Sequence, residues 1–133
     1  MLLPHTKSLA EHWDRPGHIK DEIARLNRIR RENPALQELI NLRFHPADHD
    51  QVLFYGKMTE DGSNRVFVAI NLDPFAAHEA TIELPLAAMG IAEVETFRAV
   101  ELFTGEEHRW RGARQRLRLD PDVNPAAIFR VER

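Results

Sequence analysis

The chain has 133 residues, 18 Lys and Arg against 21 Asp and Glu, a formal net charge of −3 and no cysteine. That length suits one domain with one core and excludes both a two-domain enzyme and an eight-stranded β/α barrel, which needs roughly 200–250 residues. The missing cysteines exclude disulfide frameworks, thiolate metal sites and cysteine nucleophiles, and they suit a reducing cytoplasm.

From Arg15 to about Asn33 the pattern is helical. Ile19, Ile23, Leu26 and Ile29 recur at spacings of four and three, which draws one apolar stripe along one face. Asp14 is placed to cap the helix, with Pro16 in its first turn. Asn33-Pro34 ends it, because proline disfavours the α conformation of the residue before it. Ala35–Ile40 reads as a short turn leading away. The stripe has to pack on something, so the helix is expected to fold back on the rest of the chain or to pair with a second copy, as a homodimer through the N-terminal helix.

After about Leu42 the pattern changes to strands. Val52–Thr59 and Arg65–Leu72 flank the turn-rich Glu60-Asp-Gly-Ser-Asn64, a hairpin signal. Strands follow at Ala80–Leu84, Thr96–Leu102, His108–Trp110, Arg114–Leu119 and Ala127–Val131, with one helical turn at Pro85–Gly90. Short strands punctuated by Gly, Pro, Asn and Asp indicate a mainly β protein, an antiparallel sandwich or barrel, preceded by one amphipathic N-terminal helix. Helices do not alternate with these strands, so a doubly wound parallel sheet does not fit.

Each motif that could carry chemistry has a plainer reading beside it. His45-Pro-Ala-Asp48-His49-Asp50 gathers groups that ligate divalent ions, but it lies between strands, lacks the spacing of a helical zinc motif, and reads as a polar turn. The acids Asp14, Glu60, Asp61, Glu106, Glu107, Asp120 and Asp122 fall in turns or at element ends, and no spacing singles out a glycosidase pair. Ser8 and Ser63 are the only serines, neither in a nucleophile elbow. The six glycines stand apart, so no phosphate loop is present.

Arg109, Arg111, Arg114, Arg116 and Arg118 surround Trp110 in a way that could grip nucleic acid. Alternation instead puts Arg114, Arg116 and Arg118 on a solvated strand face, opposite Leu117 and Leu119. The near-neutral charge gives no further reason to expect nucleic acid or an anionic membrane as partner. Trp13, Tyr55 and Trp110 are candidate carbohydrate-binding residues through ring stacking on sugars, or else core or interface packing. No residue is a candidate catalytic group or metal ligand, and no cofactor is implied. The longest apolar runs are far shorter than the ~20 residues that span a bilayer, and the first residues do not read as a signal peptide.

A family resemblance adds what the motifs do not. Arg28-Ile-Arg-Arg-Glu-Asn-Pro-Ala-Leu36 resembles the end of the last barrel helix of α-amylase-type enzymes, just before their C-terminal β-domain. The continuation through Leu42-Arg-Phe-His45, Tyr55-Gly-Lys57, Val68-Ala-Ile-Asn-Leu-Asp-Pro74, Leu102-Phe-Thr-Gly105, Trp110-Arg-Gly112, Leu119-Asp-Pro121 and Pro125–Val131 is similar to the C-termini of the α-1,4-glucan:maltose-1-phosphate maltosyltransferases of glycoside hydrolase family thirteen. The similarity runs from about Glu11 to the end. Phe75 and Ala127 stand where that family is expected to have histidine, and Met1–Leu9 has no recognisable counterpart.

The resemblance implies a Greek-key β-sandwich of the α-amylase C-terminal type. It implies a boundary near residue 41, with residues 1–41 corresponding to a tail and the last barrel helix and 42–133 to the β-domain. It also implies a cytoplasmic parent enzyme of glycogen and α-glucan metabolism, whose barrel carries the catalytic carboxylates that this chain lacks. On that reading the chain itself is not an enzyme, and its partners are the catalytic barrel and, through the aromatics, an α-glucan. Two alternatives stand beside it: a free-standing carbohydrate-binding sandwich, and the same domain from a trehalose synthase or an amylase-type glycosidase.

Overall fold

A computed structural model describes residues 16–37 and 41–133. The first described elements are helix α1 (Pro16–Glu32) and a 3-10 turn (Pro34–Gln37). It continues through strands β1 (Leu42–Phe44), β2 (Val52–Met58), β3 (Arg65–Asn71) and β4 (His78–Glu83). After the single helical turn α2 (Leu86–Met89) come β5 (Thr96–Glu101), β6 (Glu107–Arg111), β7 (Arg114–Leu119) and β8 (Ala126–Glu132). Six strands form one antiparallel sheet in the order β1-β2-β3-β8-β5-β6, and β4 pairs with β7 in a second, two-stranded sheet. The chain leaves the large sheet after β3, returns for β5, crosses again for β7 and comes back as β8 between β3 and β5. Those crossings make it a mainly β sandwich.

Alternation along each strand explains why the two sheets face each other. Val52 and Phe54 of β2, Phe67 and Ala69 of β3, Phe97 and Ala99 of β5 and Ala127, Phe129 and Val131 of β8 point inward. They meet Ala80, Ile82 and Leu119 of the small sheet in one buried cluster. Burying each large apolar side chain there contributes about 1.5–3 kcal/mol. Phe54 and Phe67 stack with centroids 5.8 Å apart. That pairing requires Gly56, because a Cβ at that position would lie 2.6 Å from the Phe67 ring. The turn α2 closes one end of the core with Leu86 and Met89. It is ended by Gly90 at φ 72°, a left-handed conformation that glycine adopts without steric cost.

Helix α1 makes a third layer. Its Ile29 is buried, as are Val66, Val68 and Val100, which by alternation point away from the inner core. Arg25 donates to the Phe103 carbonyl beyond β5, so the helix crosses the outer face of the large sheet. An asparagine network pins its end. Buried Asn33 donates to the Ile29 carbonyl at 2.8 Å and accepts from Asn64 Nδ2 at 3.1 Å. Asn64 Oδ1 in turn accepts from the Ala35 N–H at 3.0 Å. Asn41 Nδ2 donates to the carbonyls of Ala35 and Met58, both at 3.0 Å. Gln37 reaches back to the Arg30 and Arg31 carbonyls, which a helix end would otherwise leave unpaired. The helix folds back on the sheet, one of the two arrangements expected for it. Its expected cap Asp14 lies outside the described residues, and the side chains of Ile19 and Ile23 are not described.

Candidate functional site

Of the three aromatic candidates, Tyr55 keeps an accessible ring. It sits on β2 facing outward and is paired in register with Phe44 of the edge strand β1. Their rings meet edge to face at 6.2 Å, and Phe44 is 67% exposed. Partial burial of the phenol beneath Phe44 pushes the Tyr55 hydroxyl pKa up. Trp110 lies elsewhere. Its position on β6 turns it inward, only 9% exposed, edge-on to Phe97 at 6.3 Å and against Phe129 at 4.9 Å. A ring packed in this way is a core residue and leaves no face for a sugar. Trp13 lies outside the described residues.

The histidine-rich segment between β1 and β2 is bound into the fold. His45 packs at 5.9 Å from Phe54 and 5.8 Å from Phe67, and burial lowers its pKa. Asp48 exchanges hydrogen bonds with Thr81, accepting the Thr81 N–H on Oδ1 at 2.7 Å and donating its own N–H to the Thr81 carbonyl. The loop is thereby tied to β4. His49 accepts the Gln51 N–H on Nδ1 and lies 4.2 Å from the His78 ring. His78 bonds Asp73 at 2.7 Å, an interaction that lowers the Asp73 pKa ahead of the smaller contribution from the Phe75 N–H. No group of three or more metal-binding side chains converges among the described residues.

Of the acidic candidates, Asp61 and Asp120 serve the backbone, while Glu107 pairs with Arg98 at 3.1 Å. Asp61 accepts from the Ser63 N–H, the Ser63 hydroxyl and the Thr59 hydroxyl, which hold its carboxyl at a pKa of about 2. Asp120 accepts from the Asp122 N–H. Glu101, an acid absent from the sequence-based candidates, is nearly buried and caps the following turn through the Phe103 N–H, and burial raises its pKa. These are structural roles, with lone pairs spent on turn N–H groups rather than aimed into a cleft.

The arginine stretch divides between two sheets. Arg114, Arg116 and Arg118 face outward from β7 in register with Glu83, Thr81 and Glu79 of β4, and Arg116 pairs with Glu79 at 3.0 Å. Opposite charges laid side by side give a mixed, solvated face. A shallow cleft next to it is lined by Glu83, Glu93 and Arg111–Arg114 and carries both signs as well. Among the described residues, Phe44 and Tyr55 form an apolar surface patch. Sequence reasoning named Tyr55 but missed Phe44, although Phe44 lies in the same quoted Leu42-Arg-Phe-His45 phrase.

Known proteins show the same C-terminal pattern. Residues 44–131 match the family profile described as GLGE, C-terminal. An α-1,4-glucan:maltose-1-phosphate maltosyltransferase of Rhodospirillum rubrum is 50% identical over 119 residues, covering 90% of this chain and 17% of that protein. The same-named proteins of Myxococcus xanthus and Pseudomonas aeruginosa are 46% and 44% identical, covering 90% and 91% of this chain and 18% of each relative. The chain thus spans less than a fifth of the length of these relatives. Among solved structures, a maltogenic α-amylase of Thermotoga neapolitana aligns with TM-score 0.58 and 14% identity over 82% of this chain and 24% of that one. An Anoxybacillus α-amylase aligns with TM-score 0.57 and 18% identity over 84% of this chain and 22% of that one. At those identities the structural likeness shows the fold.

Proposed function

The chain belongs to the GLGE C-terminal family, and from that premise we propose that it is the non-catalytic C-terminal domain of a maltosyltransferase, stabilising a catalytic barrel that precedes it. The parent enzyme extends an α-1,4-glucan from maltose 1-phosphate, as the names of the relatives state for those proteins. One observation carries the assignment of a supporting role. Among the described residues, the candidate acids Asp61 and Asp120, the buried Glu101 and the histidine segment are engaged in turns, caps and packing rather than held as a nucleophile and acid pair. On the same reading residues 1–41 correspond to a tail and the barrel's last helix, and residues 42–133 to the β-domain. The absence of cysteine supports a cytoplasmic location. Among the described residues no helix is long and apolar enough to cross a membrane.

The test is an assay of the 133-residue chain alone for maltosyl transfer from maltose 1-phosphate to maltohexaose. The expected result is no product. Transfer above the buffer blank overturns the proposal.

The pair of exposed Phe44 and half-buried Tyr55 favours a second reading, a glucan-binding sandwich, because accessible aromatic rings also stack on sugars. Calorimetric titration of the chain with maltohexaose separates the two. Saturable heat that disappears in Tyr55→Ser supports the binding module, and a flat titration supports the scaffold.

A further inference from the structure

The two outer faces of the sandwich are unlike, and the difference marks one of them as an interface. The outer face of the β4–β7 sheet carries Glu79, Thr81, Glu83, Arg114, Arg116 and Arg118, a charged surface of the kind that stands in water. The outer face of the large sheet is divided: toward β5 and β6 it carries the charged Arg98, Glu107, Arg109, Arg130 and Glu132, and toward β1 and β2 it is apolar. Part of it lies under α1, where Val66, Val68 and Val100 are buried. Beside the helix, the exposed Phe44 and Leu72 and the half-buried Leu53, Tyr55 and Ile70 continue the same apolar face. By register, Phe44 adjoins Tyr55, Tyr55 adjoins Val68 and Leu53 adjoins Ile70. Phe44 is 67% and Leu72 54% exposed. Contiguous apolar patches of this kind on an otherwise charged protein mark interaction sites.

We propose that this strip is the docking face for the catalytic region of the maltosyltransferase, the part of the polypeptide that precedes this domain in full-length relatives. The proposal rests on the reading of the chain as a C-terminal scaffold and adds the surface through which it acts. Two observations select the occupant. The matched family is a C-terminal one and the chain covers only 17% of the Rhodospirillum rubrum relative, so a much larger body comes before it there. The polypeptide linking the two runs through α1, which lies on this face and not on the charged one. The strip is continuous with the patch that the helix covers, so a body attached through that helix would extend the apolar layer already begun by Ile29. A glucan or a second copy of the chain would leave the coincidence of helix and strip unexplained.

Hydroxyl-radical footprinting tests the surface directly, because it reads side-chain access to solvent residue by residue. The 133-residue chain is compared with a chimera in which it replaces the matched segment of the Rhodospirillum rubrum enzyme. The expected result is loss of oxidation at Phe44, Tyr55 and Leu72 in the chimera, with Val94 and Val123 oxidised equally in both. Protection at Val94 or Val123 with Phe44 and Tyr55 still reactive overturns the choice of face and leaves the scaffold reading standing. No change at any exposed residue overturns the scaffold reading and this inference together. Protection that appears on adding maltohexaose to the chain alone assigns the strip to glucan and overturns the proposal.

Discussion

Replacing Asn33 by alanine tests whether α1 is an integral layer of the domain. The Asn33 side chain is almost wholly buried, donates to the Ile29 carbonyl at 2.8 Å and accepts from Asn64 Nδ2 at 3.1 Å. Asn33→Ala removes both bonds and strands both partners. A fully buried polar group left unpaired costs about 1–3 kcal/mol. The Ile29 carbonyl keeps a second lone pair for the backbone and the Asn64 amide is only part-buried, so the low end applies to each, giving about 2 kcal/mol in total. At roughly 4 °C per kcal/mol for a domain of this size, Tm should fall by about 8 °C. Urea unfolding of the chain, followed by circular dichroism, measures the change. Asn64→Ala should cost at least as much, because it also strands the Ala35 N–H. The double variant should fall short of additivity by about 1 kcal/mol, since the two residues share a bond. A loss below about 0.5 kcal/mol for Asn33→Ala, the range of ordinary surface substitutions, or full additivity, would refute the claim that this network couples helix to sheet.

Other substitutions follow from the packing. Gly56→Ala should destabilise by about 1–3 kcal/mol through overpacking, since the new Cβ would meet the Phe67 ring at 2.6 Å; an unchanged urea midpoint would contradict that. Trp110→Ala should cost about 3–5 kcal/mol as a large core truncation, and in a Trp13→Phe background the Trp110 emission should not respond to maltohexaose. Phe44→Ser should change the stability of the isolated chain by less than about 0.5 kcal/mol, because the ring is mostly exposed; chemical denaturation checks this. Acid should weaken the fold. Burial lowers the His45 pKa below 6.5, so the folded state binds fewer protons there than the unfolded one and stability falls as pH drops through that value. Asp61 has its folded pKa depressed from 3.8 to about 2, so its contribution is present above 3.8 and disappears as pH falls through that window. His45→Gln should flatten the first slope and Asp61→Asn the second in a pH series of thermal melts.

Most of the fold was legible because its strands alternate cleanly. The hairpin of β2 and β3 is framed by Asp61-Gly62, and β7 agrees with its sequence-based span residue for residue. The turn at Pro85–Gly90 appears as α2. Strand β1 was not separated from its surroundings, because its three residues are all exposed and leave no alternation to read. The asparagine network was invisible for a different reason. Asn33 and Asn64 are 31 positions apart, and no local pattern announces a polar contact made only after the chain folds. The apolar outer face had left a trace. Val66-Phe-Val-Ala-Ile70 is apolar at every position, which in a strand means cover on both faces. Trp110 and Tyr55 could not be ranked from sequence, since inward or outward facing is set by register rather than by residue type.

The central claim is that this chain stabilises a catalyst without being one. Its most direct test is the activity remaining after heating in three forms of the Rhodospirillum rubrum enzyme: intact, lacking the segment matched here, and carrying this chain in its place. The account predicts that deletion lowers the inactivation temperature and that the graft restores it, with maltosyl transfer by the unheated graft close to that of the intact enzyme. Deletion that leaves the inactivation temperature unchanged, or a graft that restores nothing although it is soluble and folded, would contradict the account.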